Sequence, residues 1–127
     1  MQPNFKTALT LLAGIGLGAL VVQAAHSQAK PPIYQIIEID ITNPEAYAKE
    51  YAPVVQPAIK AAGGRLIAGG KAVSIEGEAA KTRLVIQQWD SMEKLQAWIS
   101  SAASKDARKI GDKYAKFRVL AVEGVAP

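Results

Sequence analysis

Glu38 and Asp40 stand two residues apart in the run Ile33 to Thr42, IYQIIEIDIT. In an extended chain that spacing puts both carboxylates on one face, roughly 7 Å apart along the strand. Two carboxylates in a half-buried cleft can push their pKa values apart and divide acid and base work between them. Asp40 and Glu38 are therefore the candidate catalytic residues. The competing structural reading has Asp40 capping a turn or pairing with an arginine, and Glu38 sitting at a rim, because ion pairs outnumber catalytic carboxylates. Tyr34 shares their face and joins them as a pocket candidate. Arg65, Arg83 and Arg118 each enter or sit in a strand-like run. They would either neutralise those acids, hold an anionic substrate such as a carboxylate, or stand as plain edge charges. Tyr47 and Tyr51, spaced i, i+4, are core and lid residues in one reading; in the other, one hydroxyl enters the pocket.

The chemistry is bounded by what is missing. There is no cysteine, and the single histidine is His26. Beyond that residue there is no imidazole for acid–base work, no thiol, no Ser-His-Asp triad and no histidine or cysteine ligand for zinc or haem. No metal site and no cofactor is expected, and any reaction falls to Asp, Glu, Tyr, Lys or Arg.

The elements that must position these residues follow from pattern. Ile33, Ile37, Ile39 and Ile41 alternate with Tyr34, Ile36, Glu38 and Asp40, which is a strand with an apolar and a mixed face. Asn43 is a suitable N-cap and Pro44 a suitable first helical residue, so a helix runs from Pro44 to about Ala62. Pro53 and Pro57 lie inside it, and a kink or break is expected near Ala52. Gly63-Gly64 ends it. Arg65–Ala68 and Lys71–Glu76 read as one bent strand, or one with a bulge at Gly69-Gly70. Thr82–Trp89 is the next strand. Asp90 or Ser91 caps a helix through Met92, Leu95 and Trp98, interrupted at Ser100-Ser101. A further helical segment reaches from about Ala102 to Tyr114, weakened by Gly111. Phe117–Glu123 is the last strand, and Trp89 and Trp98 are core anchors.

The first 29 residues read differently. A lone Lys6 precedes the uncharged run Thr7 to Ala25, and Ser27-Gln28-Ala29 offers a small-residue cleavage site, with Val22-Gln23-Ala24 as second choice. That is a secretory signal peptide, with a periplasmic or secreted domain over residues 30–127. The alternative is an uncleaved inner-membrane anchor, since the run is about long enough to span and Gly14-x-x-x-Gly18 suits helix contact. Cleavage would remove one positive charge from a net of +4. The remaining charges are interspersed, so no nucleic-acid partner is expected, and no membrane contact after cleavage.

Strand, helix, strand, strand, helix, strand is the order of an α+β ferredoxin-like βαββαβ plait: a four-stranded antiparallel sheet with helices on one face, ordered last, first, third, second strand. The other face is not polar. Thr82–Trp89 carries large apolar residues in either parity, as does Phe117–Glu123. A sheet apolar on both faces predicts a homodimer packed sheet against sheet.

The segments EIDITNPEAYAKEYAP, AAGGRLIAGG, WDSMEKLQAW and RKIGDKYAKFRVLAVEG together resemble a bacterial family of unknown function, DUF1330, of the dimeric α/β-barrel superfamily. The resemblance spans Ile33 to about Gly124. It implies a ferredoxin-like fold and dimerisation. The superfamily's monooxygenases, haem-degrading and dye-decolourising enzymes and isomerases imply activity far less firmly. The family's Ser-Pro-x-Tyr pattern after the tryptophan is missing here, where Ser101 is followed by Ala102, Ala103 and Ser104. If that tyrosine lines the family's pocket, the resemblance implies a wider or more polar pocket here, or a lost activity.

The expectation is thus an exported homodimer binding a small apolar or aromatic molecule between helices and sheet or inside the dimer barrel, with cofactor-free proton transfer or oxygenation as the chemistry by analogy. The alternatives are a non-catalytic binding or stress-related module, and a membrane-tethered interaction domain.

Overall fold

The computed structural model describes residues 30–126. The signal-peptide and anchor readings fall on residues 1–29, outside the described residues. Among the described residues no helix is long and apolar enough to cross a membrane.

β1 (Ile33–Ile41) is the central strand. It pairs antiparallel with β3 (Arg83–Trp89), Ile33 opposite Trp89 and Ile39 opposite Arg83, and with β4 (Ala115–Glu123), Ile33 opposite Glu123 and Ile41 opposite Ala115. β2 (Arg65–Gly70) pairs antiparallel with β3 at the edge, so the order is β2-β3-β1-β4. This is the expected α+β ferredoxin-like plait. The sheet of one chain is open and is not a closed barrel.

The first helix departs from a regular coil where the prolines demand it. α1 (Pro44–Ala46) is capped by Asn43, whose side chain accepts from the Ala46 N–H at 3.2 Å. A π-helical turn, Tyr47–Tyr51, follows, and α2 (Ala52–Ala62) completes the helix. The Ala52 N–H reaches back five residues to the Tyr47 carbonyl. Pro53 has no N–H to offer Lys49, so the ladder widens just before it instead of breaking. α2 ends at Gly63, in the left-handed region at φ 103°, whose N–H satisfies the Ile59 and Lys60 carbonyls.

α3 (Met92–Ser100) starts at Ser91, whose hydroxyl accepts from Lys94 N–H, and α4 (Ala102–Gly111) at Ser101, whose hydroxyl accepts from Ser104 N–H. Each serine offers the helix an acceptor that an alanine would not.

Two sequence expectations need correction in this region. The second strand stops at Gly70, and Lys71–Glu76 is not in the sheet. Gly70 sits at φ 155°, a backbone turn that carries the chain off the edge. The bulge lies between Leu66 and Ala68, not at the glycines.

The helices cover the face of β1 that carries Ile33, Gln35 and Ile39. Trp89, fully buried, stacks on Trp98 at 6.4 Å between ring centroids, amid Leu95, Tyr51, Val55 and Ile59. The Trp89 indole N–H donates to Gln35 Oε1 at 3.0 Å, which removes the cost of burying both polar groups. A second cluster, Ile39, Val85 and Ala115, forms the sheet floor beside it.

Candidate functional site: a cationic cleft between helix and sheet

Period two decides which residues of each strand meet the helices. On β1 these are Ile37, Ile39 and Ile41; on β3 they are Arg83, Val85 and Gln87. All six line a cleft of about 650 Å³ between the sheet and the first helix. Tyr47, Tyr51, Val55 and Ile59 come down from the helix as its roof, and Phe117 of β4 closes one side. The π-turn begins at Tyr47 and ends at Tyr51, so both rings face the cavity, 5.1 Å apart by centroid. Tyr51 also lies 5.5 Å from Phe117. The result is an apolar floor with an aromatic wall.

The charges around this cleft are of one sign. Among the described residues Lys60, Arg65, Arg83 and Arg108 line it, and no aspartate or glutamate does. Among the described residues none of these four makes a salt bridge. Arg108 lies over the Phe117 ring, 4.2 Å from its centroid, an arrangement that helps hold the guanidinium in place. Arg83 lies beside Gly69, where a Cβ would come within 3.4 Å of its Nη2.

Burial raises both tyrosines above the ordinary phenol range. For Tyr47 the Arg83 charge opposes the shift. Tyr51 is pushed up to about 12, first by burial and then by Tyr47, with the Arg108 guanidinium opposing. Both are neutral hydroxyls at physiological pH and act as hydrogen-bond donors or acceptors, not as anionic bases.

The candidates named from sequence divide between the two faces. Tyr47, Tyr51, Arg65 and Arg83 are in the cleft. Glu38 and Asp40 are not, so of the two locations expected for a pocket they lie on the side away from the helices. They belong to the alternate residues of β1, which point to the helix-free face with Tyr34 and, opposite Glu38 on β4, Arg118. Glu38 accepts from Arg118 Nη1 at 3.1 Å, and Asp40 accepts from the Thr82 hydroxyl at 3.1 Å. Those two carboxylates edge two hollows against the 71–82 segment, of about 300 and 750 Å³, bounded largely by loop residues such as Ala72, Ala80 and Lys81. Arg118 is thereby the partner of Glu38, which is one of the roles considered for the arginines.

Among the polar cleft residues not singled out in the sequence are Gln87, Arg108 and Lys60. Gln87 shares parity with Arg83 and Val85 in TRLVIQQW, and a polar residue on the covered face of a strand is the signal that would have found it. Arg108 follows Ala107, which faces the core, and so lies on the flank of that helical stripe. Lys60 had no signal beyond its place near the helix end.

The geometry has relatives. A protein of unknown function from Rhodopseudomonas palustris is 16% identical, with a TM-score of 0.64 over 86% of this chain and 94% of that one. SnoaB of Streptomyces nogalater, described as a cofactor-independent oxygenase, is 6% identical with a TM-score of 0.57 over 76% of this chain and 96% of that one. A protein of unknown function from Bacteroides fragilis, described as dimeric with a ferredoxin-like fold, is 12% identical with a TM-score of 0.54, over 73% and 96% respectively. At these identities the likeness is one of fold. Among curated proteins the chain has no significant match. The family model for DUF1330, a domain of unknown function, matches residues 32–125, nearly the whole described chain, and the protein belongs to that family.

Proposed function

We propose that this protein binds a small aromatic or apolar carboxylate in the cleft between α2 and the sheet. The observation that carries the reading is the charge imbalance: four cations and no acid around an apolar, aromatic-walled cavity. Cations brought together without counter-charges repel one another, so their arrangement is stabilised when an anion arrives. An arginine fork matches a carboxylate in two parallel hydrogen bonds, each charge-assisted. The apolar floor of Ile37, Ile39 and Val85 supplies the rest of the affinity, as in other small-molecule sites. The two neutral tyrosine hydroxyls stand where they can donate to an oxygen of the ligand.

The test uses the fluorescent pair 2-naphthoate and its neutral amide, 2-naphthamide, titrated against the full-length protein. The carboxylate binds at least ten-fold more tightly, and Arg83→Gln removes most of that difference. Equal binding of acid and amide defeats the reading.

Two further parts of the reading rest on sequence pattern and fold. The protein acts as a homodimer through the helix-free face, supported by Ile36, Leu84, Ile86, Leu120 and Val122 on that face, and by the dimeric state ascribed to the Bacteroides fragilis relative. It is exported, supported by the uncharged run and small-residue boundary of residues 1–29. Mass spectrometry of the N-terminus from a periplasmic fraction distinguishes cleavage after Ala29 from retention of an anchor.

A catalytic reading has one specific support, the fold shared with a cofactor-independent oxygenase. In this chain such a reaction would run without a carboxylate base, because no Asp or Glu lines the cleft. Oxygen uptake in the presence of a bound hydroxylated naphthoate, measured against the Tyr51→Phe variant, separates turnover from binding alone.

A further inference from the structure

One polar group in the cleft wall is buried without a hydrogen-bond partner. Gln87 is 6% exposed, and its side-chain Oε1 is buried with no hydrogen-bond partner among the described residues. The glutamine directly across from it on β1, Gln35, is satisfied by the Trp89 indole. Leaving a buried amide oxygen unpaired is unfavourable. Leucine or methionine would fill that volume on the covered face of a strand without the cost. The polar residue is therefore unfavourable for folding at a place where the strand runs past the cavity.

Its position relative to the cations is fixed by the strand. Arg83, Val85 and Gln87 follow one another on the same face of β3, all three lining the cleft. The Arg83 guanidinium reaches to Gly69, which pairs with Val85, so the charged head lies near the level of Val85. Gln87 is two residues further on, roughly 7 Å by strand rise. Ile37, paired with Val85, lies in the floor beside Val85.

We infer that the ligand is a hydroxylated aromatic carboxylate, its carboxylate held at Arg83 and its hydroxyl bonded to the otherwise unpartnered Gln87 amide across an apolar floor. The inference rests on the anion-binding reading above and adds the second polar group of the ligand. A hydroxyl both donates and accepts, and the terminal amide can turn either its oxygen or its NH2 toward it. The flat ring fits between the tyrosine wall and Val85. Sites built to hydrogen-bond a substrate hydroxyl reject the analogue that lacks it, because the buried protein group is then left unpaired.

The experiment compares 2-naphthoate with its 5-, 6- and 7-hydroxy isomers on the full-length protein and on Gln87→Leu, by fluorescence titration. The expected result is that at least one hydroxy isomer binds the wild-type protein ten-fold or more tighter than 2-naphthoate, and that Gln87→Leu brings the two to within about two-fold. If no isomer gains over the parent acid, or if the gain survives in Gln87→Leu, the inference is wrong. In that event Arg83→Gln still weakens every acid if anion binding holds. If no naphthoate binds at all, both readings fall together. Should the leucine variant not fold, Gln87→Met serves in its place, and the wild-type series already decides whether a hydroxyl is read.

Discussion

The two faces of the β-sheet are made from the same strands and treat charge in opposite ways. On the open face Glu38 meets Arg118 and Asp40 meets Thr82, so each acid has a partner. On the covered face Arg83 and Arg108 line a cavity with no acid in it, and Gln87 has no partner for its oxygen. The Glu38–Arg118 pair is partly solvated, and exposed pairs contribute about 0–1 kcal/mol. It is a structural pair of small consequence. Cations that line an apolar cavity without a counter-ion are candidates for holding an anionic ligand. The difference teaches where to look: carboxylates that satisfy themselves locally are poor candidates for chemistry, and charges left without partners are good ones.

Four perturbations test this contrast. The largest effect is expected on the open face itself. Leu120→Asp places a charge among Ile36, Ile86 and Val122, and Leu120 and Val122 are 42% and 51% exposed in one chain. A charge buried without a partner at an interface costs several kcal/mol. Sedimentation should show the wild type as a dimer at micromolar concentration and this variant as a monomer; a monomeric wild type removes the dimer from the account. Next, Arg83→Gln with Arg108→Gln should weaken 2-naphthoate by about a hundred-fold or more, since charged hydrogen bonds are worth about 1.5–3 kcal/mol each. Glu38→Gln with Asp40→Asn should leave that affinity within about two-fold. The reverse pattern would return the site to the carboxylates.

Gly111→Ala comes third. A Cβ there would sit 2.7 Å from the Tyr51 ring and 2.9 Å from Phe117. Alanine would otherwise favour a helix by ~1 kcal/mol, yet overpacking costs ~1–3 kcal/mol and presses Tyr51 into the cleft. Urea denaturation should show net destabilisation together with weaker binding; a more stable variant contradicts the packing described. The smallest effect is confined to alkaline solution. Tyr51 has its folded pKa raised to about 12 from 10.0. Its contribution is complete below pH 10 and is lost as pH rises toward 12, because the unfolded chain ionises first. Wild-type stability should fall across that window by about 2 kcal/mol more than that of Tyr51→Phe. Parallel curves would mean that Tyr51 is not buried as a neutral phenol.

Strand parity made most of the fold legible from sequence. Alternation in IYQIIEIDIT, the Asn43-Pro44 start and the Gly63-Gly64 stop were readable, and so was the apolar character of both sheet faces; the cap of the third helix was narrowed to Asp90 or Ser91, and the Ser101 cap was seen only as an interruption. The π-turn was visible only as two prolines, because sequence tells that a donor is missing but not how the backbone absorbs it. The Lys71–Glu76 segment misled because Val73 and Ile75 alternate as in a strand, while no neighbouring strand is there to pair with them; both side chains are exposed. The site was half legible. Tyr47, Tyr51, Arg65 and Arg83 line the cleft as named. Glu38 and Asp40 drew attention by charge type, although their parity with Tyr34 already set them opposite Ile37 and Ile39. Which face the helices cover is settled by packing, and that information lies in the burial of Trp89 and Ile39, not in the carboxylates. Arg108 and Gln87 needed the third dimension, since each becomes significant only through what surrounds it.

The most direct test is the position of bound 2-naphthoate in a crystal of the full-length protein. The account predicts its ring between Tyr51 and Val85 with the carboxylate on Arg83 or Arg108. A ring on the helix-free face beside Glu38 and Asp40, with the cleft filled only by solvent, would contradict it.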